Sequence, residues 1–257
     1  MEETLLEYEK CRLSPLYFLT NYAYIEDSNN KRAVKWQPWP YLIDLLEDIE
    51  KYSILVVGKA KQTGITWAVI GWIVHLALFN SYIKALLFSS VEEHGSWELI
   101  EKCKFLIQRL PPFLKREISY SNKGVIAFAN NNSKIEALAS TPKAGVGYNA
   151  SVVFRDELDY HDYAEQNLLA AGPTVDSGGK LIEVSTRNKD KTKEMSHFVN
   201  RYLRARDGAM GKHAKAIFLP WNVRPIRELG MTLQEWFDTK VRPQYDSPYV
   251  IEMLYPS

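Results

Sequence analysis

The run Ser53-Ile54-Leu55-Val56-Val57-Gly58-Lys59-Ala60-Lys61-Gln62-Thr63-Gly64-Ile65-Thr66-Trp67 constrains this chain more than any other stretch. Its apolar opening predicts a buried strand over Ser53–Gly58. Ile65 to Phe79 is apolar except for Thr66 and His75, and predicts a core helix. At 15 residues it falls short of the roughly 20 that a bilayer requires. Between strand and helix lies a loop bounded by Gly58 and Gly64. Successive backbone N–H groups there, running on into the helix N-terminus, would form a nest for an anion. Two details depart from the common phosphate-cradling pattern. Five residues separate the glycines, one more than usual, and Ile65 stands where Gly-Lys-[Ser/Thr] places its lysine. Thr66 is positioned to offer a hydroxyl to Mg2+. Phosphoryl transfer rests on electrostatic stabilisation, so a cation is still required, and Lys59 or Lys61 could supply it from inside the loop. Read alone, the stretch equally suits an ordinary glycine-containing βα turn with solvated lysines.

The rest of the chain decides between these readings. The 257 residues, 46% hydrophobic and 25% charged, suffice for a large core. A formal charge of +1 excludes a globally basic nucleic-acid binder, so any basic surface is local. Cys11 and Cys103 have no ligand spacing, which argues for a reducing compartment and against structural zinc. The acidic start Met1-Glu2-Glu3-Thr4 is no signal-peptide head. Together these predict a soluble cytosolic chain with no membrane contact.

Helical spacing covers residues 3–25, with a start at Ser14-Pro15, then a polar loop from Asp27 to Arg32 and a helix over Tyr41–Tyr52. A strand at Tyr82–Ser89 precedes an amphipathic helix at Glu92–Leu110, stopped by Pro111-Pro112. Lys123–Ala129 and Lys134–Ala139 flank a turn and predict a hairpin. Strands at Ser151–Phe154 and Gly179–Ser185 enclose a helix at Tyr160–Ala171. Beyond lie a basic helix-prone stretch, Lys189–Arg206, a strand at Lys215–Leu219, and short helices at Thr232–Val241 and Pro248–Leu254. The alternation predicts an α/β fold with a mostly parallel sheet covered on both faces.

Four further pieces bear chemistry. Val152-Val153-Phe154-Arg155-Asp156-Glu157 is an apolar strand delivering two carboxylates: Asp156 for the metal, Glu157 to orient and deprotonate a water. Such pairs are common surface charge, but about 90 residues after a phosphate loop in an α/β pattern they point to nucleoside triphosphate hydrolysis. Gln37, with Trp36 beside it for stacking, could read the edge of adenine; two packed tryptophans in a surface turn are the plainer reading. Ser185-Thr186, at a strand end, could sense the γ-phosphate or merely cap a turn. The loop Ser140 to Asn149 is glycine-rich with one cation, Lys143. A candidate basic patch gathers Lys180, Arg187, Lys189, Lys191, Lys193, Arg201, Arg204 and Arg206, although a solvated helix face is the more frequent reading.

In this order the pieces resemble the ATPase domain of the large terminase subunit of tailed bacteriophages. Lys59-Ala60-Lys61-Gln62-Thr63-Gly64-Ile65-Thr66 is similar to that family's variant phosphate loop, whose cation precedes the second glycine. Gln37 matches its adenine motif, Asp156-Glu157 its metal and catalytic carboxylates, and Ser185-Thr186 its coupling motif. Trp221, Glu235-Trp236 and Glu252-Met253-Leu254-Tyr255-Pro256 resemble the linker to a nuclease domain. The resemblance implies a P-loop NTPase of the ASCE type, ATP and Mg2+ as ligands, and a ring on the procapsid that packages double-stranded DNA. It also implies a portal protein and a small terminase subunit as partners, in the cytoplasm of an infected bacterium. Its nucleotide-contacting set would be Trp36, Gln37, Gly58 through Thr66, Ser185 and Thr186, with Thr66 and Asp156 on the metal.

Val146 stands where the family often carries a trans-acting arginine, leaving Lys143, Arg155, Arg187 or a residue with no match in the family pattern for that role. The expected organisation is an ATPase core over residues 1–195 and a lid or linker over 196–257, with no nuclease. Two other readings share parts of the pattern. A superfamily-2-like helicase would need a second motor domain larger than the roughly 60 residues that remain. A non-hydrolytic scaffold would show no stabilisation by ATP.

Overall fold

The computed structural model describes residues 2–27, 31–90, 95–188, 190–227 and 230–256. Two helices come first, α1 (Glu2–Leu13) and α2 (Pro15–Tyr22), divided where the Ser14 hydroxyl accepts from the Tyr17 N–H as an N-cap. A hairpin, β1 (Tyr24–Asp27) and β2 (Arg32–Lys35), then leads into α3 (Pro40–Lys51). The predicted strand and core helix form as β3 (Ile54–Lys59) and α4 (Ile65–Phe79). Next come β4 (Lys84–Ser89), α5 (Trp97–Gln108), β5 (Ile118–Ser121), β6 (Val125–Phe128) and β7 (Lys134–Ala139). They are followed by β8 (Val152–Asp156), α6 (Ala164–Asp176), β9 (Lys180–Ser185), α7 (His197–Arg206) and β10 (Ala214–Leu219). The chain closes with α8 (Leu233–Trp236) and α9 (Pro248–Leu254).

Eight strands make one sheet in the order β10-β3-β9-β8-β4-β7-β6-β5. The first six run parallel, while β6 and β5 fold back antiparallel at one edge. The two-residue period of the strands divides the core into two layers. Leu55, Val57, Leu87, Val152, Phe154, Ile182 and Val184 face α3, α4 and α5. Ile54, Val56, Leu86, Phe88, Val153 and Leu181 face the other way, toward Phe198 and Ala205 of α7. Helix α4 is buried almost all round, as its uninterrupted apolar sequence requires. Gly71 permits its close approach to α2, since a methyl group there would overlap the Leu19 side chain.

Three expectations change. The polar loop from Asp27 to Arg32 ends in the strands of the β1–β2 hairpin, and β5 forms outside the predicted pair. All three strands are four residues long and none contains a buried residue, so they carry little periodic signal. Helix α5 begins at Trp97; the start expected at Glu92 lies outside the described residues. The main sheet also reaches past the boundary drawn at 195/196. Strand β10 pairs in parallel with β3 along its whole length, and α7 packs against both. What packs separately is a small cluster of Trp221, Phe237 and Val241 around Ala60 of the phosphate loop. The Trp221 and Phe237 rings stack with centroids 4.4 Å apart.

Candidate active site

Strand order builds the site. β9 lies between β3 and β8, so the C-terminal end of β9 emerges between the phosphate loop and the carboxylates. Gly58 pairs with Ser185 in one register, and Asp156 with Val184 in the other. Parity then aims the side chains. Asp156 shares a face with Val152 and Phe154, the face of α4, and there Thr66 Oγ1 donates to Asp156 Oδ2 at 3.0 Å.

The loop separates its donors from its acceptors. Its carbonyls are occupied from outside: Thr63 O accepts from the Tyr41 hydroxyl at 2.6 Å, and Gln62 O from Arg227 at 2.8 Å. Among the described residues, no carbonyl accepts from the N–H groups of Gln62, Thr63 or Gly64. Gln62 (φ 60°) and Gly64 (φ 79°) are left-handed, and Gly64 in that conformation caps α4. A loop with tied acceptors and free donors is a cradle for an anion.

Lys59 is 7% exposed, and its Nζ donates to Glu157 Oε1 at 2.6 Å. Lys61 is exposed, and its backbone N–H is spent on the Leu254 carbonyl. Glu157 sits in the left-handed region (φ 50°, ψ 45°), an uncommon conformation for glutamate and of a kind that clusters at functional sites. Its other oxygen, Oε2, accepts from the Thr186 N–H at 3.1 Å and the Thr186 hydroxyl at 2.9 Å. Burial pushes the Glu157 carboxyl upward, but the charge and hydrogen bond of Lys59, with those of Thr186, outweigh it and hold the group below the ordinary range. Asp156 shifts the opposite way, to about 6, first through burial and then through the neighbouring Glu157 charge.

Behind these carboxylates, Ser185 Oγ accepts from the Asp159 N–H at 3.0 Å. The Asp159 carboxylate takes Arg187 at 2.8 Å and the Asn188 N–H at 2.7 Å, and also accepts from Ser196, the N-cap of α7. The segment after β9 is thus wired both to Glu157 and to α7. His161 Nε2 lies 2.8 Å from the Asp156 carbonyl, an acceptor, so the ring must donate from Nε2. Burial pushes its pKa down to about 4, so the ring is neutral.

The cleft has two chambers. One, of about 310 Å³, is lined by Lys59, Thr66, Asp156 and Glu157, with Ser89, Glu98 and Lys102. The other is lined by Gln37, Trp39, Trp67 and Arg224, and the two share Gln62, Gly64 and Trp67. Gln37 is exposed there, with Nε2 3.4 Å from the Lys35 carbonyl. Trp36, expected as the stacking ring, also lines this chamber but is only 2% exposed and packs largely in the core, whereas Trp39 is half-buried and more accessible. Glu98 and Lys102 escaped the sequence reading because α5 reaches the cleft only through tertiary packing.

Other candidates are displaced. Arg155 is fully buried on the face opposite Asp156, where it pairs with Glu183 at 2.7 Å and bonds the Ala164 carbonyl. Arg201 completes that buried triad on the other Glu183 oxygen. Neither is available to a neighbouring subunit or to DNA. Arg187 is engaged by Asp159, and Lys191 donates to the Asp159 carbonyl at 2.6 Å. Lys180 donates to the Glu50 carbonyl at 2.7 Å, and Lys189 lies outside the described residues. Of the proposed basic patch, Lys193, Arg204 and Arg206 are exposed, and Arg206 pairs with Asp207. Lys143 is exposed on its loop.

The donor set fits a hard divalent cation. One hydroxyl and one carboxylate lie 3.0 Å apart at the mouth of an anion cradle, and the buried Asp156 is short of compensating positive charge. Among the described residues no cluster of three or more His, Cys, Asp or Glu could hold a metal. A test follows from the raised pKa. Because the folded pKa of about 6 exceeds the ordinary aspartate value of 3.8, the metal-free protein is stabilised at low pH and loses that stability as pH rises through 6. Asp156→Asn should therefore raise unfolding stability in EDTA at pH 7.5 by on the order of 1–3 kcal/mol, and by little at pH 4. A variant less stable than the parent at pH 7.5 contradicts this.

A mostly parallel sheet with a glycine-bounded loop entering a helix, faced by a strand-end carboxylate pair, defines a P-loop nucleoside triphosphatase fold. Residues 56–241 match the family described as terminase large subunit, T4likevirus-type, N-terminal. The chain belongs to that family. The Thermus phage P74-26 large terminase ATPase domain superposes with a TM-score of 0.62 at 13% identity, covering 86% of this chain and 93% of that one. The bacteriophage HK97 large terminase gives 0.62 at 12%, covering 95% and 50%. The large terminase of a thermophilic bacteriophage in complex with ADP gives 0.57 at 11%, covering 82% and 51%. At such identities the likeness is one of fold, and the chain spans about half the length of the latter two. Among the described residues no helix is long and apolar enough to cross a membrane.

Proposed function

We propose that this chain binds ATP with Mg2+ and hydrolyses it, as the motor domain that drives double-stranded DNA into a procapsid. The observation that carries the reading is the convergence of Lys59, Thr66, Asp156, Glu157 and Thr186, from four separate elements, on one anion cradle. The free N–H groups at Gln62, Thr63 and Gly64 would hold the phosphates, and Lys59 would leave Glu157 to neutralise them. Thr66 and Asp156 would hold Mg2+, which supplies charge neutralisation on the phosphate oxygens. Thr186 keeps Glu157 oriented, and Glu157 takes the proton of the attacking water.

The second chamber, with Gln37 and Trp39, takes the base. The segment 185–188, joined through Asp159 to the N-cap of α7, would carry the state of the γ-phosphate into the fold. The family supports the wider setting: a ring on the procapsid, with the portal protein and small terminase subunit as partners, in the infected host's cytoplasm. Within that ring, Lys143, exposed on its loop, would be the candidate cation for a neighbour's site. The core runs at least through β10, and residues 221–256 form the lid or linker. Phosphate release from ATP should occur with Mg2+ and vanish in EDTA. An absence of both hydrolysis and ATP-dependent thermal stabilisation would favour the scaffold reading instead.

A further inference from the structure

The C-terminal tail crosses the phosphate loop with two arginines that behave differently. Arg227 holds carbonyls: NH1 donates to Gln62 O at 2.8 Å and reaches Lys61 O at 3.4 Å, while NH2 donates to Trp221 O at 2.8 Å. Arg224 has one long bond, NH1 to Gln62 O at 3.3 Å, and its guanidinium lies over the Trp39 ring, 4.7 Å from the centroid. Its Nε, like that of Arg227, is buried without a hydrogen-bond partner, but Arg227 spends both terminal nitrogens on close carbonyls and Arg224 does not. Burial depresses the Arg224 pKa, and the opposing influences of Tyr41 and Asp27 do not make up for it. A half-buried guanidinium with unspent donors is costly unless an acceptor arrives. Arg224 also lines only one chamber, the one with Gln37, Trp39 and Trp67, and is absent from the one with Lys59, Asp156 and Glu157.

We infer that Arg224 is a nucleoside-recognition residue supplied by the tail. Layered on Trp39, its guanidinium donates to acceptor atoms of the base or ribose of a bound nucleotide, while Arg227 stays on the loop carbonyls as a positioning residue. The phosphates are left to Lys59 and the loop. Substrate binding thereby fastens the tail to the loop it crosses. This inference rests on the reading of the cleft as an ATP site, so the test separates the two.

Wild type, Arg224→Ala and Arg224→Lys are titrated with ATP and with inorganic tripolyphosphate, both with Mg2+, by calorimetry. Ligand-free melting curves establish that each variant is folded. Arg224→Ala should bind ATP about tenfold or more weakly, the loss of a charged donor, with tripolyphosphate affinity unchanged. Arg224→Lys should not restore ATP affinity, because an ammonium neither lies flat on Trp39 nor offers a planar fork. If the alanine variant fails to fold, the lysine variant carries the same comparison. Unchanged ATP affinity, or an equal loss for both ligands, overturns the assignment. A wild type that binds tripolyphosphate but not ATP overturns it while leaving the phosphate cradle intact. Failure to bind either ligand removes the nucleotide reading itself.

Discussion

Glu157→Gln should stop turnover while leaving ATP bound. Glu157 is tethered on one oxygen by the Thr186 N–H and hydroxyl, and on the other by Lys59. Glutamine keeps an acceptor for Thr186 but cannot take a proton from water, so hydrolysis should fall by about 10²–10⁴-fold. Affinity should hold or rise, because Lys59 no longer has to be drawn away from a carboxylate before meeting phosphate. The same exchange explains how a carboxylate held below its ordinary pKa can act as a base. Lys59 is foremost among the influences holding it down, and in the proposed mechanism ATP would draw that partner away. Phosphate release, measured beside competition binding with a fluorescent nucleotide, checks both halves. Unaltered turnover, or a loss of binding, contradicts the role.

Lys59→Ala and Lys61→Ala should separate cleanly. Lys59 is buried and already within the site, 2.6 Å from Glu157. Removing it takes away the cation that the loop places nearest the phosphates, which should cost about 10²–10³-fold in turnover and weaken ATP binding as well. Its partner Glu157, with a side chain 35% exposed, keeps access to water, so the fold should survive. Lys61 points outward and its backbone is held by Leu254, so its alanine variant should stay within about twofold of the parent. The reverse ranking would move the phosphate cation to Lys61.

How legible the site was depends on how local its parts are. The strand, loop and helix around Gly58–Thr66 could be read because each carries its own pattern, an apolar run, two glycines and a second, longer apolar run. Asp156-Glu157 and Ser185-Thr186 could be read because both stand at ends of buried, largely apolar strands. Arg155 could not, since one residue of parity turns it away from Asp156 into a buried triad with partners 28 and 46 positions further on. Trp36 and Trp39 are equivalent in the sequence; both line the second chamber, and only packing buries most of the first and leaves the second more open. Glu98, Lys102, Arg224 and Arg227 belong to no motif. Glu98 and Lys102 line the chamber from α5, Arg224 and Arg227 bond loop carbonyls from the tail, and nothing in a linear pattern reports such an approach. Strand β10 was recognised as a strand, but its membership of the main sheet depends on a pairing with β3 across 160 positions.

In the proposed mechanism Lys59 supplies the cation missing from the usual lysine position. A crystal structure with Mg2+ and a non-hydrolysable ATP analogue tests it most directly. Lys59 Nζ should leave Glu157 and lie within hydrogen-bonding distance of the β- and γ-phosphate oxygens, with Lys61 still turned to solvent. Lys61 on the phosphates, with Lys59 still paired to Glu157, would contradict it.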